Sequence, residues 1–287
     1  MNTYPDCIPC LVKQALDALR MVKAEDEVIC RAMKRVLAEA AEFDMSKSPP
    51  EMARTTHKII REETGNPDPY FKIKKHSTEE ALKLEAMVRE KIESSDNPLR
   101  SAVRFAIAGN VMDFAIFQWC QDRFMARLDE ALHKEIDEEA MQAFESAAEK
   151  SGTILYLADN TGETVFDMLL LEQLAGKELV YAVKSAPAIN DALREDALEA
   201  GIDKYAKIVE NGWDAPGTVL DMCSPEFLEI YRSADMVISK GQGNFESLGE
   251  VEREVFFLTQ IKCQVIARDL AGEIGDWVIL HSGQSSQ

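Results

Sequence analysis

The 287-residue chain contains no run of about 18 apolar residues, the length a membrane-spanning helix needs. Met1 to Cys10 shows no basic stretch followed by an apolar one, so no secretory signal is expected and the cytoplasm is the expected compartment. Histidine is scarce: His57, His76, His133 and His281 stand in no H-x-x-x-H or similar spacing. There is a single Cys-x-x-Cys, Cys7 to Cys10, with no strand before it and no second pair to complete a zinc site. Cys263 could join it, but no spacing shows this. Cys30, Cys120, Cys223 and Cys263 lie singly among apolar residues, so structural thiols are expected throughout. Neither G-x-x-x-x-G-K-[ST] nor G-x-G-x-x-G occurs. The largest deficit is positive charge. Thirty-two Lys and Arg face 51 Asp and Glu, a formal net charge of −19. Such a chain repels nucleic acid and anionic membranes, and neither is expected as a partner. It repels an anionic substrate as well, so a phosphate site would need local positive charge from a metal, a lysine or a helix N-terminus.

What is present divides in two. Up to about residue 150 the apolar spacing is helical: Leu11, Ala15, Leu16 and Leu19 share a face, and Val28 to Phe43 repeats the pattern. Ser48-Pro49-Pro50-Glu51 reads as a capping box with proline in the first turn. Ser77 to Glu80 reads as another, opening a helix to about Glu93. Further helices are expected from Pro98 through Phe117 and from Leu128 to Lys150. After Gly152 short apolar runs alternate with helical stretches. The runs are Thr153–Ala158, Leu179–Val183, Lys207–Val209, Met236–Ile238, Val255–Leu258 and Gln264–Ile266, with helices at Val165–Leu174 and Asp191–Ala200. The expected fold is therefore α/β: an all-helical region over 1–150, then a Rossmann-like domain over 151–287, its mostly parallel sheet covered by helices on both faces. Ser282 to Gln287 reads as a tail.

Three segments that follow apolar runs carry chemistry, and in a parallel sheet they project from one edge. Ala158-Asp159-Asn160-Thr161-Gly162-Glu163 sets a carboxylate beside an amide oxygen, which suits a hard or borderline divalent cation. In Ser185-Ala186-Pro187-Ala188-Ile189-Asn190-Asp191, Asp191 would add a second carboxylate, with Lys184 nearby. In Ser239-Lys240-Gly241-Gln242-Gly243-Asn244-Phe245-Glu246, glycines and a lysine suit a phosphate cradle. The first two segments also read as ordinary helix-capping turns and the third as a flexible turn. Asn211 to Thr218 is a further loop that could meet substrate. In the helical half, Arg104, Asn110 and Asp113 lie on one helix with Gly109, whose placement in an apolar helix suggests a close approach.

Taken together, ADNTGE, the INDA of Ile189 to Ala192 and SKGQGNFE resemble the domain-of-unknown-function 89 family, also called the damage-control phosphatase family. CIPC, the DPY of Asp68 to Tyr70 and AGNVMD at Ala108 to Asp113 resemble its archaeal and bacterial branch. The resemblance implies a helical region with a Rossmann-like domain, and phosphatase activity on small phosphorylated metabolites such as sugar phosphates and metabolic side products. It implies a divalent metal (manganese, cobalt, nickel or magnesium) held by Asp159, Asn160 and Asp191, with Lys240 on the phosphoryl group. Glu163, Gly243, Asn244 and Glu246 fall in matching motifs; the candidate substrate-binding set is Glu163, Lys240, Gly243, Asn244, Asn110 and Asp113. The expected mechanism is attack by a metal-bound water. An aspartyl-phosphate route through Asp159 is disfavoured, because Thr161 occupies the place of the second aspartate that dehalogenase-type phosphatases carry. Two rivals stand beside this reading: an S-adenosylmethionine-dependent carboxyl methyltransferase, and a sensor that binds phosphometabolites without turnover.

Overall fold

Six short strands carry the site, and they read as near-continuous apolar runs because helices cover both faces of the sheet. The computed structural model describes residues 1–111 and 133–281. The strands are β1 (Thr153–Leu157), β2 (Glu178–Val183), β3 (Lys207–Glu210), β4 (Met236–Lys240), β5 (Phe256–Gln260) and β6 (Trp277–His281). Their spatial order is β3-β2-β1-β4-β5-β6. The first five are parallel and β6 runs antiparallel to β5. This is the order of a doubly wound sheet, so the chain reverses its direction of winding between β1 and β4, and a crevice opens there beyond the strand ends.

The helices are α1 (Cys7–Met21), α2 (Asp26–Glu42), α3 (Pro49–Thr64), α4 (Phe71–Leu82), α5 (Glu85–Glu93), α6 (Pro98–Val111), α7 (Glu138–Lys150), α8 (Thr164–Gln173), α9 (Arg194–Glu199), α10 (Pro225–Ser233), α11 (Gln242–Leu248) and α12 (Gln264–Asp269). Because side chains alternate along a strand, β1 feeds two cores. Ile154 and Tyr156 join Phe105, Phe144, Phe166, Ile238 and Phe256 on one face. Leu155 and Leu157 join Phe227, Tyr231, Val237 and Phe257 on the other. Helices α1 to α3 bury a core of their own around Ala15, Leu19, Val36, Ile59 and Ile60. The switch from helices to strands after residue 150 is thus not a switch of core: α5, α6 and α7 precede it in sequence, yet their Val88, Phe105 and Phe144 lie in the sheet's main core.

The Ser48 capping box forms, with the Ser48 N–H donating to Glu51 Oε2 at 3.0 Å. Other expectations are corrected. Gln264–Ile266 is not a strand but the start of α12; a short apolar run fits either state, and the sixth strand is Trp277–His281. Ser77 caps nothing: it lies inside α4, where its hydroxyl donates to the Ile73 carbonyl at 2.9 Å. The helix expected through Glu93 is broken at Lys83 and Leu84. Asp191 does not begin a helix, since α9 starts at Arg194. Asp113 and the stretches 112–117 and 128–132 lie outside the described residues.

Candidate active site beyond β1, β2 and β4

The end of β1 delivers Asp159 and Asn160 to the crevice, and the turn after β2 delivers Asp191. An antiparallel bridge between Asn160 and Asp191 joins the two turns, and the Ala192 N–H donates to the Asp159 carbonyl at 2.8 Å. Asp159 and Asp191 are buried, whereas Asn160 is partly exposed. Asn110, on α6, reaches over from the helical side. Its Nδ2 donates to Asp159 Oδ2 at 2.7 Å and to Glu163 Oε1 at 3.1 Å. This approach requires Gly109, because a Cβ there would stand 2.9 Å from Phe166 Cδ2 and 3.0 Å from Glu163 Cβ. Gly241 plays the same part below β4. Its φ is +79° and a Cβ would run into the Asp159 carboxylate.

Glu163 is saturated by donors. It accepts from the Asn160 N–H at 2.6 Å, from Asn160 Nδ2 at 2.9 Å and from Lys240 Nζ at 2.8 Å. Lys240 is fully buried, and its ammonium also donates to Asp167 Oδ1 at 2.7 Å. Asp167 accepts from two hydroxyls besides, Tyr156 at 2.7 Å and Tyr181 at 2.8 Å. In this structure, then, Lys240 is the counter-ion of an internal pair of carboxylates and shows no open side to a phosphoryl group. Asn244 is likewise enclosed. It donates to the carbonyls of Ala158 and Lys240 at 3.0 and 2.8 Å and accepts from Thr218 at 2.7 Å, tying the ends of β1 and β4 together. SKGQGNFE is not an open loop, since Gln242–Leu248 forms α11; Gly243 sits in that helix and its carbonyl accepts from Ser247. Lys184 pairs with Asp191 at 3.5 Å and donates to the Gly217 carbonyl. The loop from Asn211 therefore reaches the site as well.

These surroundings push the carboxyls apart. Burial, with Glu163 and Asp191 close by, raises Asp159 well above the usual carboxylate range. Burial raises Asp191 to about 6 against the pull of Lys184. Burial opposes the charge on Glu163 too, but Lys240 and the Asn160 N–H outweigh it and hold that carboxyl below its ordinary value. Asp167 stays raised by burial in spite of Lys240. Two groups with direct claims on the site were not singled out by motif. Asp167 is a lone acid in the apolar run TVFDMLLL, a legible sign of a buried polar network. Lys262, in the turn after β5, is exposed, and its positive charge favours ionisation of both Asp159 and Glu163. Its only signal was position beyond a strand end. Glu246 accepts from Gln242 at Oε1 and from the Met1 ammonium at its carbonyl. Among the described residues no three His, Cys, Asp or Glu side chains form a ready metal cluster, and that includes Cys7 and Cys10 in the first turn of α1.

Comparison with known proteins agrees with this architecture. The sequence profile of the damage-control phosphatase ARMT1-like domain matches residues 3–278. An uncharacterized protein of Methanocaldococcus jannaschii is 32% identical over 96% of this chain and 94% of its own length. A damage-control phosphatase of Pyrococcus horikoshii is 32% identical over 94% of each chain. The crystal structure of a DUF89 family protein from Pyrococcus horikoshii superposes with a TM-score of 0.89 at 30% identity, covering 98% of this chain and 99% of that one. The chain belongs to the damage-control phosphatase ARMT1-like family.

Proposed function

We propose that the chain is a divalent-metal-dependent phosphatase that hydrolyses small phosphorylated metabolites, such as sugar phosphates or damaged and side-product phosphometabolites. One observation carries the metal: among the described residues, four buried carboxylates, Asp159, Glu163, Asp167 and Asp191, pair with two buried ammonium groups, Lys184 and Lys240, while the third buried lysine, Lys74, is taken up by Asp68 and Asp196. Two negative charges are left over where water cannot screen them. Either protons or a divalent cation must offset them, and Asp159 and Asp191, the two carboxyls that Lys240 does not pair with, are both raised. The donor set fits such a cation. It consists of carboxylate and amide oxygens; Asn110 Oδ1 is buried with no hydrogen-bond partner among the described residues, and buried Asp191 Oδ2 has the Lys184 ammonium at 3.5 Å but no hydrogen bond. Asp159, Asn160 and Asp191 would hold manganese, cobalt, nickel or magnesium. Bound there, the cation would acidify a water and neutralise phosphoryl charge.

The chain's own residues do the rest. Asn110 fixes the Asp159 carboxylate by donating to Oδ2, and Lys184 holds Asp191. Lys240 keeps Glu163 ionised as the acceptor that orients Asn160. Lys262, the exposed cation, would meet the phosphoryl oxygens as their charge builds up. Relatives carrying the name damage-control phosphatase, from Pyrococcus horikoshii and Archaeoglobus fulgidus, support the reaction class.

The test is phosphate release from sugar phosphates and phosphorylated cofactor fragments, in EDTA and with manganese, cobalt, nickel or magnesium restored. Release should need metal, and Asp159→Ala and Asp191→Ala should abolish it. Folded protein that binds these ligands but releases no phosphate with any metal would overturn the reading and favour a sensor.

A further inference from the structure

The turn that carries Asp191 is built in a conformation it would not choose alone. Ile189 has φ = +50°, the left-handed region, where a β-branched side chain is a genuine outlier. Such a backbone persists only where its surroundings over-determine it. Here they come from the helical region. The Ile189 side chain packs against the core of α1 to α3. Arg61 of α3 donates to the Pro187 carbonyl at 3.2 Å. Lys74 of α4, almost fully buried, pairs with Asp68 at 3.1 Å and with Asp196 at 3.6 Å. Asp196 in turn accepts from the Leu193 N–H at 2.8 Å and the Thr161 hydroxyl at 3.4 Å. The segment is thus gripped before Asp191, at Pro187 and Ile189, and after it, at Leu193. On its other side the sheet holds it through the Thr161 N–H on the Asn190 carbonyl at 2.8 Å and the Ala192 N–H on the Asp159 carbonyl at 2.8 Å.

We propose that the helical region is the template of the site: Ile189, Arg61 and Lys74 are positioning residues that hold the strained turn and so keep Asp191 against Asp159. None of the three would touch substrate or metal. The inference rests on the reading of Asp159 and Asp191 as metal-holding carboxylates. It gives α1 to α4 a task beyond stability, because without them the turn would relax to right-handed backbone and carry Asp191 away.

The test uses the full chain with Ile189→Ala, Ile189→Val and Lys74→Met. Amide hydrogen exchange is followed without metal, and cobalt is titrated by its visible absorption. In Ile189→Ala the amides of Asp191 and Ala192 should exchange at least about tenfold faster, with β1 and β4 unchanged. The cobalt Kd should rise by at least about tenfold. Ile189→Val, which keeps the branched anchor, should restore both. Lys74→Met should act in the same direction. Wild-type exchange at Asp191 and Ala192 in Ile189→Ala, or faster exchange spread evenly through β1 and β4, would overturn the proposal in favour of simple packing. A wild-type chain that binds no cobalt would instead sink the metal reading, and the exchange arm would still decide the template.

Discussion

Replacing Lys240 by methionine separates two roles for this lysine. The substitution keeps most of the volume and removes the ammonium that Glu163 and Asp167 share at 2.8 and 2.7 Å, in a place with no exposure for any of the three. Breaking a buried pair by removing one partner costs about 3–5 kcal/mol, because a charge is left uncompensated. For a chain of this size each kcal/mol is about 2–4 °C of melting temperature, so a fall of roughly 6–20 °C is expected at neutral pH. The loss should depend on pH with a definite sign. In the wild type Glu163 is held below its ordinary value, so its contribution is present above about pH 4.3 and fades as pH falls. Burial opposes the Lys240 charge, but Asp167 and Glu163 raise it overall; its contribution is complete below about pH 10.4 and is lost only as pH rises past the raised value. In Lys240→Met both carboxyls lose their counter-ion, burial raises them, and folding then takes up protons. The deficit should therefore be greatest near pH 8 and shrink toward pH 5, measured as the difference in melting temperature by scanning calorimetry. A variant with wild-type melting at pH 8 and weakened binding of inorganic phosphate would refute the reasoning and place Lys240 on the ligand.

Gly241→Ala should lower stability by about 1–3 kcal/mol from the backbone alone and abolish metal-dependent phosphate release, since the new methyl displaces the Asp159 carboxylate; calorimetry and the release assay check the two effects. Gly109→Ala should cost about 1–3 kcal/mol through overpacking against Phe166 and Glu163, read from denaturant midpoints, and should slow release by loosening Asn110. Metal affinity should climb as pH rises through about 6, where Asp191 ionises, because a cation binds the ionised carboxylate. Without metal, the same raised carboxyl takes stability away between about pH 4 and 6. Manganese titrations by calorimetry at pH 5, 6, 7 and 8 test the first point; equal affinity at pH 5 and 8 would contradict it.

Much of the site was legible because strand ends are. An apolar run followed by a polar turn fixes where Asp159, Asn160 and Asp191 emerge, and a doubly wound sheet then brings them together. Gly109 was legible in the same physical sense, as a residue that weakens a helix unless something must come close. The orientation of Lys240 was harder. All of β4 is buried, so no alternation of polar and apolar residues marks its faces. Counting in twos would have placed it: Met236, Ile238 and Lys240 share a face, and the first two lie in the main core where Asp167 waits. Asn244 reads as loop amide in sequence, yet α11 folds it inward as a brace. The strain at Ile189 had no sequence signal, because it is imposed by α1 to α4 from far away in the chain. Those contacts are tertiary.

The same charge arrangement makes a statement about binding order. A chain with net charge −19 should exclude phosphate, and the buried lysines cannot help: Lys240 is matched to Glu163 and Asp167, Lys184 to Asp191, and Lys74 to Asp68 and Asp196. Among the described residues, Lys262 is the exposed lysine whose charge bears on Asp159 and Glu163, and it faces two surplus carboxylate charges. An approaching phosphoryl group therefore meets attraction only after a cation has offset Asp159 and Asp191. Inorganic phosphate should bind at least about tenfold more tightly with manganese than in EDTA. By thermodynamic reciprocity, phosphate should tighten manganese by the same factor. Both legs can be measured by calorimetry on one preparation. If phosphate bound equally well without metal, the positive charge it uses would have to come from the chain itself, and the surplus of buried carboxylates would have some other purpose than holding a cation.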